Sequence, residues 1–274
     1  MNELLRNIDL TNISPIAQAL IAGLFTWLMT ALGAAIIFIK KEIGRKILDS
    51  SLGFSAGIMI AASFFSLLLP SIELSEQLGI PKWLPATSGF IAGGLFLKVI
   101  DSLVPHLHLF MPMKKVEGLK IKLSKTTLLI LAITIHNFPE GISVGVAFGS
   151  VETMHAATLI GAVTLTVGIA IQNFPEGMAV SFPLLKEGNT KFKSFLLGAL
   201  SAIVEPLGAV LGAASVVVFK NMLPFALSFA AGAMIYVVVE ELIPESQSGG
   251  NEDLATIGTI LGFVVMMFLD VALS

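Results

Sequence analysis

The sequence predicts an all-α integral membrane protein with eight transmembrane helices, from its hydropathy, its low charge and the clustering of that charge. Its 274 residues have a mean hydropathy of +0.91, and only 13% of them are charged. Soluble globular domains carry about 25% charged residues. The charges fall in short stretches between long apolar runs. About 20 apolar residues cross a bilayer core, so the chain fits about eight crossings and is predicted to be one transmembrane domain over residues 1–274.

The apolar runs place the predicted helices at about 14–39, 51–69, 83–104, 126–150, 155–183, 194–219, 223–244 and 254–273. Only helices suit these runs, because backbone polar groups in lipid need internal partners and the alternation of barrel strands is missing. Residues 1–14 lack the basic segment of a signal peptide, so the first run is predicted to be a true helix.

Lysine and arginine are distributed unevenly between the two sides of this helical array. Of the 16 such residues, 13 lie in or beside the connections after helices 1, 3 and 5, and 3 lie on the other side. Cytoplasmic loops of membrane proteins carry the excess of positive charge. The first side is therefore predicted to be cytoplasmic, and both termini are predicted to be extracytoplasmic.

Two polar stretches with nearly the same sequence occur near the middle of helices 4 and 5. Residues 136–141 read His-Asn-Phe-Pro-Glu-Gly, and residues 172–177 read Gln-Asn-Phe-Pro-Glu-Gly, 36 residues later. The match is an internal repeat across two successive antiparallel spans. It predicts that the two helices bring equivalent polar groups to a similar depth.

Carboxylates at the bilayer centre must face one another, a cavity or a cation, because contact with lipid costs about 2.5–3.5 kcal/mol each. Three glutamates lie at such depth: Glu140, Glu176 and Glu205. His136 shares a helical face with Glu140, four residues away, as Gln172 does with Glu176. These nitrogen and oxygen donors suit Zn²⁺ and its first-row neighbours. A structural polar cluster is the alternative, and the duplication favours the metal site.

Prolines lie inside both polar stretches. Pro139 cannot donate to the carbonyl of Ile135, and Pro175 cannot donate to that of Ile171. We expect kinked or broken helices here, with free acceptors beside the ligands, as is tolerated where a helix lines a cavity.

The HN-x-P-E-G stretch of helix 4 and its counterpart on helix 5 resemble the metal-binding signature of the ZIP (Zrt-, Irt-like protein) family of divalent metal transporters. The similarity continues through residues 53–59 on helix 2, Glu205-Pro206 on helix 6 and residues 240–245 on helix 7, and it looks closest to the prokaryotic GufA-like branch. The resemblance implies a ZIP-like bundle with outward termini and a binuclear metal site between helices 4 and 5.

The resemblance also implies roles for individual residues. The first metal would be held by His136, Glu140, Gln172 and Glu176, with Met59 as an extra contact. The second would be held by Asn137, Asn173 and Glu205, with Glu140 and Glu176 as shared bridges. Ser66 would border the pathway. The chain departs from the family where many members have His at the position of Gln172 and some have His-Glu at Glu240-Glu241. The resemblance implies zinc as the main cargo, and the departures leave a site poorer in imidazole, which is expected also to admit Cd²⁺, Fe²⁺, Mn²⁺ and Co²⁺.

Two further histidines, His106 and His108, lie in the predicted cytoplasmic loop after helix 3, and Asp101 lies at the end of that helix. They are either ordinary interfacial residues or an exit or sensing site for metal, because ZIP-like proteins often carry histidines in this loop.

The predicted function is transport of divalent metal cations, foremost zinc uptake into the cytoplasm, by a protein that is not an enzyme and has no prosthetic group. The alternative is an intramembrane metal-dependent hydrolase, although the sequence has no H-E-x-x-H. The absence of cysteine excludes thiolate ligands, and no basic aromatic patch supports nucleic-acid binding. The expected partners are metal ions and the lipids of a prokaryotic cytoplasmic membrane, and a homodimer is left open.

Overall fold

The computed structural model describes residues 13–107, 113–119, 121, 123–151, 157–218 and 222–273. Within them, eight helices are long and apolar enough to cross a membrane. They are α1 (Pro15–Phe38), α2 (Arg45–Gln77), α3 (Trp83–Leu103), α4 (Lys125–Gly149), α5 (Leu159–Lys186), α6 (Lys191–Val218), α7 (Leu223–Gln247) and α8 (Glu252–Leu273). The predicted fold class and number of spans are confirmed.

Most predicted helix ends agree with the structure to within a few residues, but the second helix was placed too narrowly at 51–69. It begins at Arg45 and ends at Gln77, with a stretch of wider π-helical turns over Ala62–Leu68. Its extra turns are polar and find partners inside the protein: Arg45 pairs with Asp49 at 2.6 Å, and Ser71 bonds Ser228 of α7 at 2.7 Å. A prediction from hydropathy alone places the end of a helix where such polar residues begin. The seventh helix also contains π-helical turns, over Val238–Leu242.

The repeated prolines do not break their helices, and the expected kinks stay a prediction. Both α4 and α5 remain helical through Pro139 and Pro175, because one missing hydrogen bond and a bulky ring can be absorbed by a bend. The break lies in α6, between its segments Lys191–Ser201 and Val204–Val218. Pro206 has no N–H for the carbonyl of Ala202, and a proline is well placed in the first turn of the new segment.

Glycines allow the helices around the repeated stretches to touch backbone to backbone. A Cβ at Gly33 of α1 would overlap the carbonyl of Phe174, and one at Gly177 of α5 would overlap the carbonyl of Thr30. Between α4 and α6, a Cβ at Gly141 would overlap the carbonyl of Glu205. Small residues allow this close approach in membranes. Helices α1, α4, α5 and α6 are thereby fixed in register at the depth of the two polar stretches.

The connections that follow α1, α3, α5 and α7 meet at one end of the bundle. Arg45 donates to Ser248 beyond α7 at 2.7 Å, Lys125 pairs with Glu187 at 2.6 Å, and Leu107 bonds the carbonyl of Leu128. This end carries most of the lysine and arginine. That it faces the cytoplasm remains a prediction.

Labelling will test the orientation. The chain has no cysteine, so single cysteines introduced at Asn2 and Ser274 should react with an impermeant thiol reagent in intact cells. A cysteine at the exposed Lys41, on the opposite end of α1, should react only after the membrane is opened. Protection of either terminal position in intact cells, with labelling of Lys41→Cys, would reverse the predicted topology.

Candidate metal centre

The predicted ligands of helices 4, 5 and 6 are all buried in the middle of the bundle. None of these residues is more than 4% exposed. They are His136, Asn137 and Glu140 of α4, Gln172, Asn173 and Glu176 of α5, and Glu205 of α6. The sequence reasoning therefore identified residues that share the interior, although their roles as ligands stay predictions.

Amide groups of α5 hold carboxylates of the two neighbouring helices. Gln172 Nε2 donates to Glu140 Oε1 at 2.8 Å, and Asn173 Nδ2 donates to Glu205 Oε2 at 2.8 Å. Each amide uses its nitrogen for this bond and keeps its oxygen free for another partner. The paired residues of the second polar stretch thus orient acids on both sides of α5.

The histidine of the first polar stretch is held by an acid of α7. His136 Nδ1 lies 2.7 Å from Glu241 Oε2, and both side chains are buried. Of the two acidic residues that the sequence singled out on helix 7, Glu241 therefore reaches the cluster. Glu240 is half-buried, and its role as a ligand stays a prediction.

Six buried oxygen atoms in this cluster have no hydrogen-bond partner among the described residues. They are Asn137 Oδ1, Glu140 Oε2, Gln172 Oε1, Asn173 Oδ1 and both carboxylate oxygens of Glu176. Leaving a buried acceptor unsatisfied costs about 1–3 kcal/mol, and more for a charged group. A cation bound in such a cluster would satisfy these acceptors, because the oxygens would take the place of its hydration shell.

The charge of the cluster points to the same kind of ligand. Glu176 lies near enough to Glu140 and to His136 for their charges to interact. Together with Glu205 and Glu241, these are four buried carboxylates around one histidine. Buried charges need partners of opposite sign. A divalent cation would supply positive charge of the kind that such a cluster needs.

The break in α6 supplies a further contact. Glu205 N bonds the carbonyl of Ala202 at 3.0 Å, which leaves the carbonyl of Ser201 outside the helical pattern. Asn137 Nδ2 donates to that carbonyl at 3.3 Å. The break thus fixes the side-chain amide of Asn137, whose oxygen has no partner among the described residues. The signal for this break that was available in the sequence is the proline of the pair Glu205-Pro206.

Sequence reasoning missed three hydroxyl-bearing residues that surround the cluster. Thr30 Oγ1 of α1 donates to Glu205 Oε1 at 3.3 Å, and the carbonyl of Thr26 accepts from Asn173 at 3.2 Å. Ser55 Oγ of α2 donates to the carbonyl of Gln172 at 3.0 Å. Two threonines four residues apart in a largely apolar first helix were the available signal.

Comparison with known proteins decides the family. The family model described as "ZIP Zinc transporter" matches residues 112–270, more than half of the chain. The chain belongs to the ZIP zinc transporter family. The predicted resemblance and the prediction of divalent metal transport are confirmed, the chain is a transporter and not an enzyme, and the hydrolase alternative has no support.

Individual ZIP relatives match over nearly the whole chain. Human "Zinc transporter ZIP11" is 40% identical over an alignment of 337 positions, which covers 95% of this chain and 98% of the relative. "Zinc transporter GufA" of Myxococcus xanthus is 36% identical and covers 93% of this chain and 98% of the relative. "Zinc transporter ZIPB" of Bordetella bronchiseptica is 37% identical, with 94% and 82% covered. The multi-pass membrane location follows from this family and the eight apolar helices.

Two residues that the ZIP resemblance implied lie on α2, and their roles stay predictions. Met59 is fully buried. Ser66 lies against the last helix, where its hydroxyl donates to Asp270 at 2.8 Å. The structure therefore connects Ser66 with α8.

The end of α3 and the loop after it bring together a second set of side chains that could hold a metal ion. His106 Nε2 lies 3.0 Å from Asp101 Oδ1, and the backbones of His106 and Glu117 bond each other in both directions. Ligand atoms of Asp101, His106 and Glu117 lie within 4.8 Å of one another. Glu117 was missed because it is distant along the chain from the histidine. His108 lies outside the described residues.

Proposed function

We propose that this chain carries divalent metal, foremost zinc, into the cytoplasm through a two-metal site between α4 and α5. The observation that carries the proposal is the set of six oxygens buried at mid-span that find no partner among the described residues, all on residues of the two repeated stretches. Carboxylate and amide oxygens with one imidazole also suit Cd²⁺, Fe²⁺, Mn²⁺ and Co²⁺.

The proposed first position uses His136, Gln172 and the two bridging acids, Glu140 and Glu176. Glu241 engages His136 Nδ1 and leaves Nε2 as the nitrogen for metal. A carboxylate on the far nitrogen fixes the ring orientation and raises its strength as a ligand. Gln172 similarly steadies Glu140 while its own oxygen remains available.

The proposed second position uses Asn137, Asn173 and Glu205 with the same bridging acids. The oxygens of both asparagines have no partner, and their nitrogens are anchored to carbonyls or to Glu205. Amide oxygens are weaker ligands than carboxylates. An ion at this position can therefore be released, as a transporter requires.

Purified protein in sealed vesicles tests this function. A zinc gradient should drive zinc entry that is saturable and absent from empty vesicles. Vesicles that hold protein of native fold but admit no divalent metal would overturn the proposal.

The loop site at Asp101, His106 and Glu117 is proposed to receive metal on the cytoplasmic side, with His108 as a further member. Its carboxylates and imidazole are typical zinc ligands. Tyr236 of α7 donates to Asp101 at 3.2 Å, and α7 also carries Glu241. One helix thus contacts both the loop site and the central cluster.

Replacing both His106 and His108 by alanine should slow zinc entry by roughly tenfold or less, because the loop histidines assist transport but do not form the mid-span site. Zinc binding at mid-span should persist. The initial rate in vesicles and zinc bound per purified protein measure the two effects. His155→Ala, which removes the remaining histidine outside the proposed sites, is the control. Unchanged rate and unchanged zinc content would make the loop histidines ordinary interfacial residues.

A further inference from the structure

We infer that Thr30 of α1 is a positioning residue for the second metal, because its hydroxyl holds Glu205 in the orientation that this metal needs. The inference rests on the proposed two-metal site. It concerns a residue that carries no charge, on a helix that provides none of the proposed ligands.

Glu205 is held from two sides. Thr30 Oγ1 donates to Oε1 at 3.3 Å, and Asn173 Nδ2 donates to Oε2 at 2.8 Å. Thr30 is 1% exposed and Glu205 is fully buried. Thr26, one turn earlier on α1, also lies close enough to interact with Glu205. Because Thr30 bonds one oxygen of the carboxylate and Asn173 of a different helix bonds the other, the carboxylate cannot rotate about its last bond without losing a bond. Thr30 and Asn173 together therefore define the plane of the Glu205 carboxylate.

The direction of the Thr30 hydroxyl distinguishes it from other threonines in these helices. Threonine in a helix commonly donates to the carbonyl three or four residues earlier. Thr166 and Thr259 do so, with distances of 2.7 and 3.0 Å to carbonyls four residues earlier. Thr30 donates instead to a carboxylate 175 residues away. Its hydroxyl thus serves another helix rather than its own.

The backbone of α1 is fixed at this point. Gly33 and Gly177 bring α1 against α5, and a Cβ at Gly23 would lie 2.7 Å from the Cα of Pro206 on α6. The helix is therefore in direct contact with the residue after Glu205 and with the second polar stretch. Thr30 cannot follow a displaced carboxylate, so the glutamate must meet the hydroxyl where the packing places it.

Loss of the hydroxyl should weaken the second metal specifically. Loss of a residue that hydrogen-bonds to a metal ligand and orients it typically lowers metal affinity by about 10–100-fold. When Glu205 binds metal through the oxygen nearer Asn173, the bond from Thr30 to the other oxygen can persist. The first position, built around His136 and Gln172, makes no use of Thr30.

Zinc titration of the purified protein tests the inference, in a His106→Ala, His108→Ala background that removes the loop histidines. The unsubstituted central site should bind two zinc ions. Thr30→Val, which keeps shape and removes the hydroxyl, should weaken one of them about tenfold or more and leave the other unchanged. Thr30→Ala should do the same, and Thr30→Ser should restore binding. Thr166→Val makes the matched change on α5 at a buried threonine bonded to its own helix, and should alter neither ion.

The outcomes separate the two proposals. Two zinc ions with unchanged affinities in Thr30→Val would overturn the role of Thr30 and leave the two-metal site standing. Equal weakening of both ions, or no recovery in Thr30→Ser, would also overturn it, because a general packing defect would then explain the loss. A single central ion in the background protein, unaffected by Glu205→Gln, would refute the two-metal site itself.

Discussion

Changing Glu140 and Glu176 to glutamine together should reduce zinc transport hardly more than either change alone. Each carboxylate is proposed to bridge the two metals, so either single change removes a ligand from both. We expect each single change to lower the initial rate by about two orders of magnitude. Loss of a residue that only supports a metal ligand can already cost about 100-fold, and loss of the ligand itself should cost at least as much. Groups that act as one unit are strongly non-additive.

The measurement is the initial rate of zinc entry into vesicles with matched amounts of protein. Glu187→Gln makes the same change at an acid that pairs with Lys125 at the end of the bundle, and should retain most of the rate. If the two single losses multiply in the double variant, the carboxylates serve separate steps and do not share a metal.

Gln172→His should shift metal selectivity strongly towards zinc. Gln172 Oε1 has no partner in the described part of the chain, and the side-chain nitrogen of Gln172 donates to Glu140. A neutral imidazole at this position can bind metal through one nitrogen and donate to Glu140 through the other. It replaces a weak amide oxygen by a strong ligand for Zn²⁺ and adds no buried charge. We expect zinc to bind more tightly, manganese to be rejected about tenfold or more better, and turnover to fall because release becomes slower.

Competition between zinc and manganese for entry, compared for the two proteins in the same vesicles, measures this effect. Gln18→His is the matched control, because Gln18 is a buried glutamine of α1 whose nitrogen donates to the carbonyl of Ile13. A zinc-to-manganese ratio that stays constant in a folded, active Gln172→His protein would show that residue 172 does not contact the metal that sets selectivity.

The number of spans and the buried face of α4 and α5 could be predicted because they depend on local pattern. Hydropathy marks a span, and a separation of four residues marks a shared helical face. The repeat then identified Glu140 and Glu176 as equivalent. These properties hold whatever the angles between helices are.

The contacts that complete the site depend on those angles. His136 meets Glu241 across 105 residues of chain, and Thr30 meets Glu205 across 175. The sequence shows each of these residues, but it does not show the angle at which two helices cross and bring them together. The effect of a proline is equally hard to predict from local pattern. Helix α4 continues through Pro139, whereas Pro206 lies in the first turn of a new helical segment.

Packing of α2 against α8 has a consequence for biosynthesis. A Cβ at Gly53 of α2 would overlap the carbonyl of Ala255, and one at Gly262 of α8 would overlap the carbonyl of Phe54. The second span therefore emerges from the ribosome with a glycine face shaped for the last span, and five others are made before that partner exists. Contacts between distant segments form late. Assembly in the membrane is complete only when translation has reached the end of α8, and a nascent chain stopped before it leaves the glycine face of α2 facing lipid.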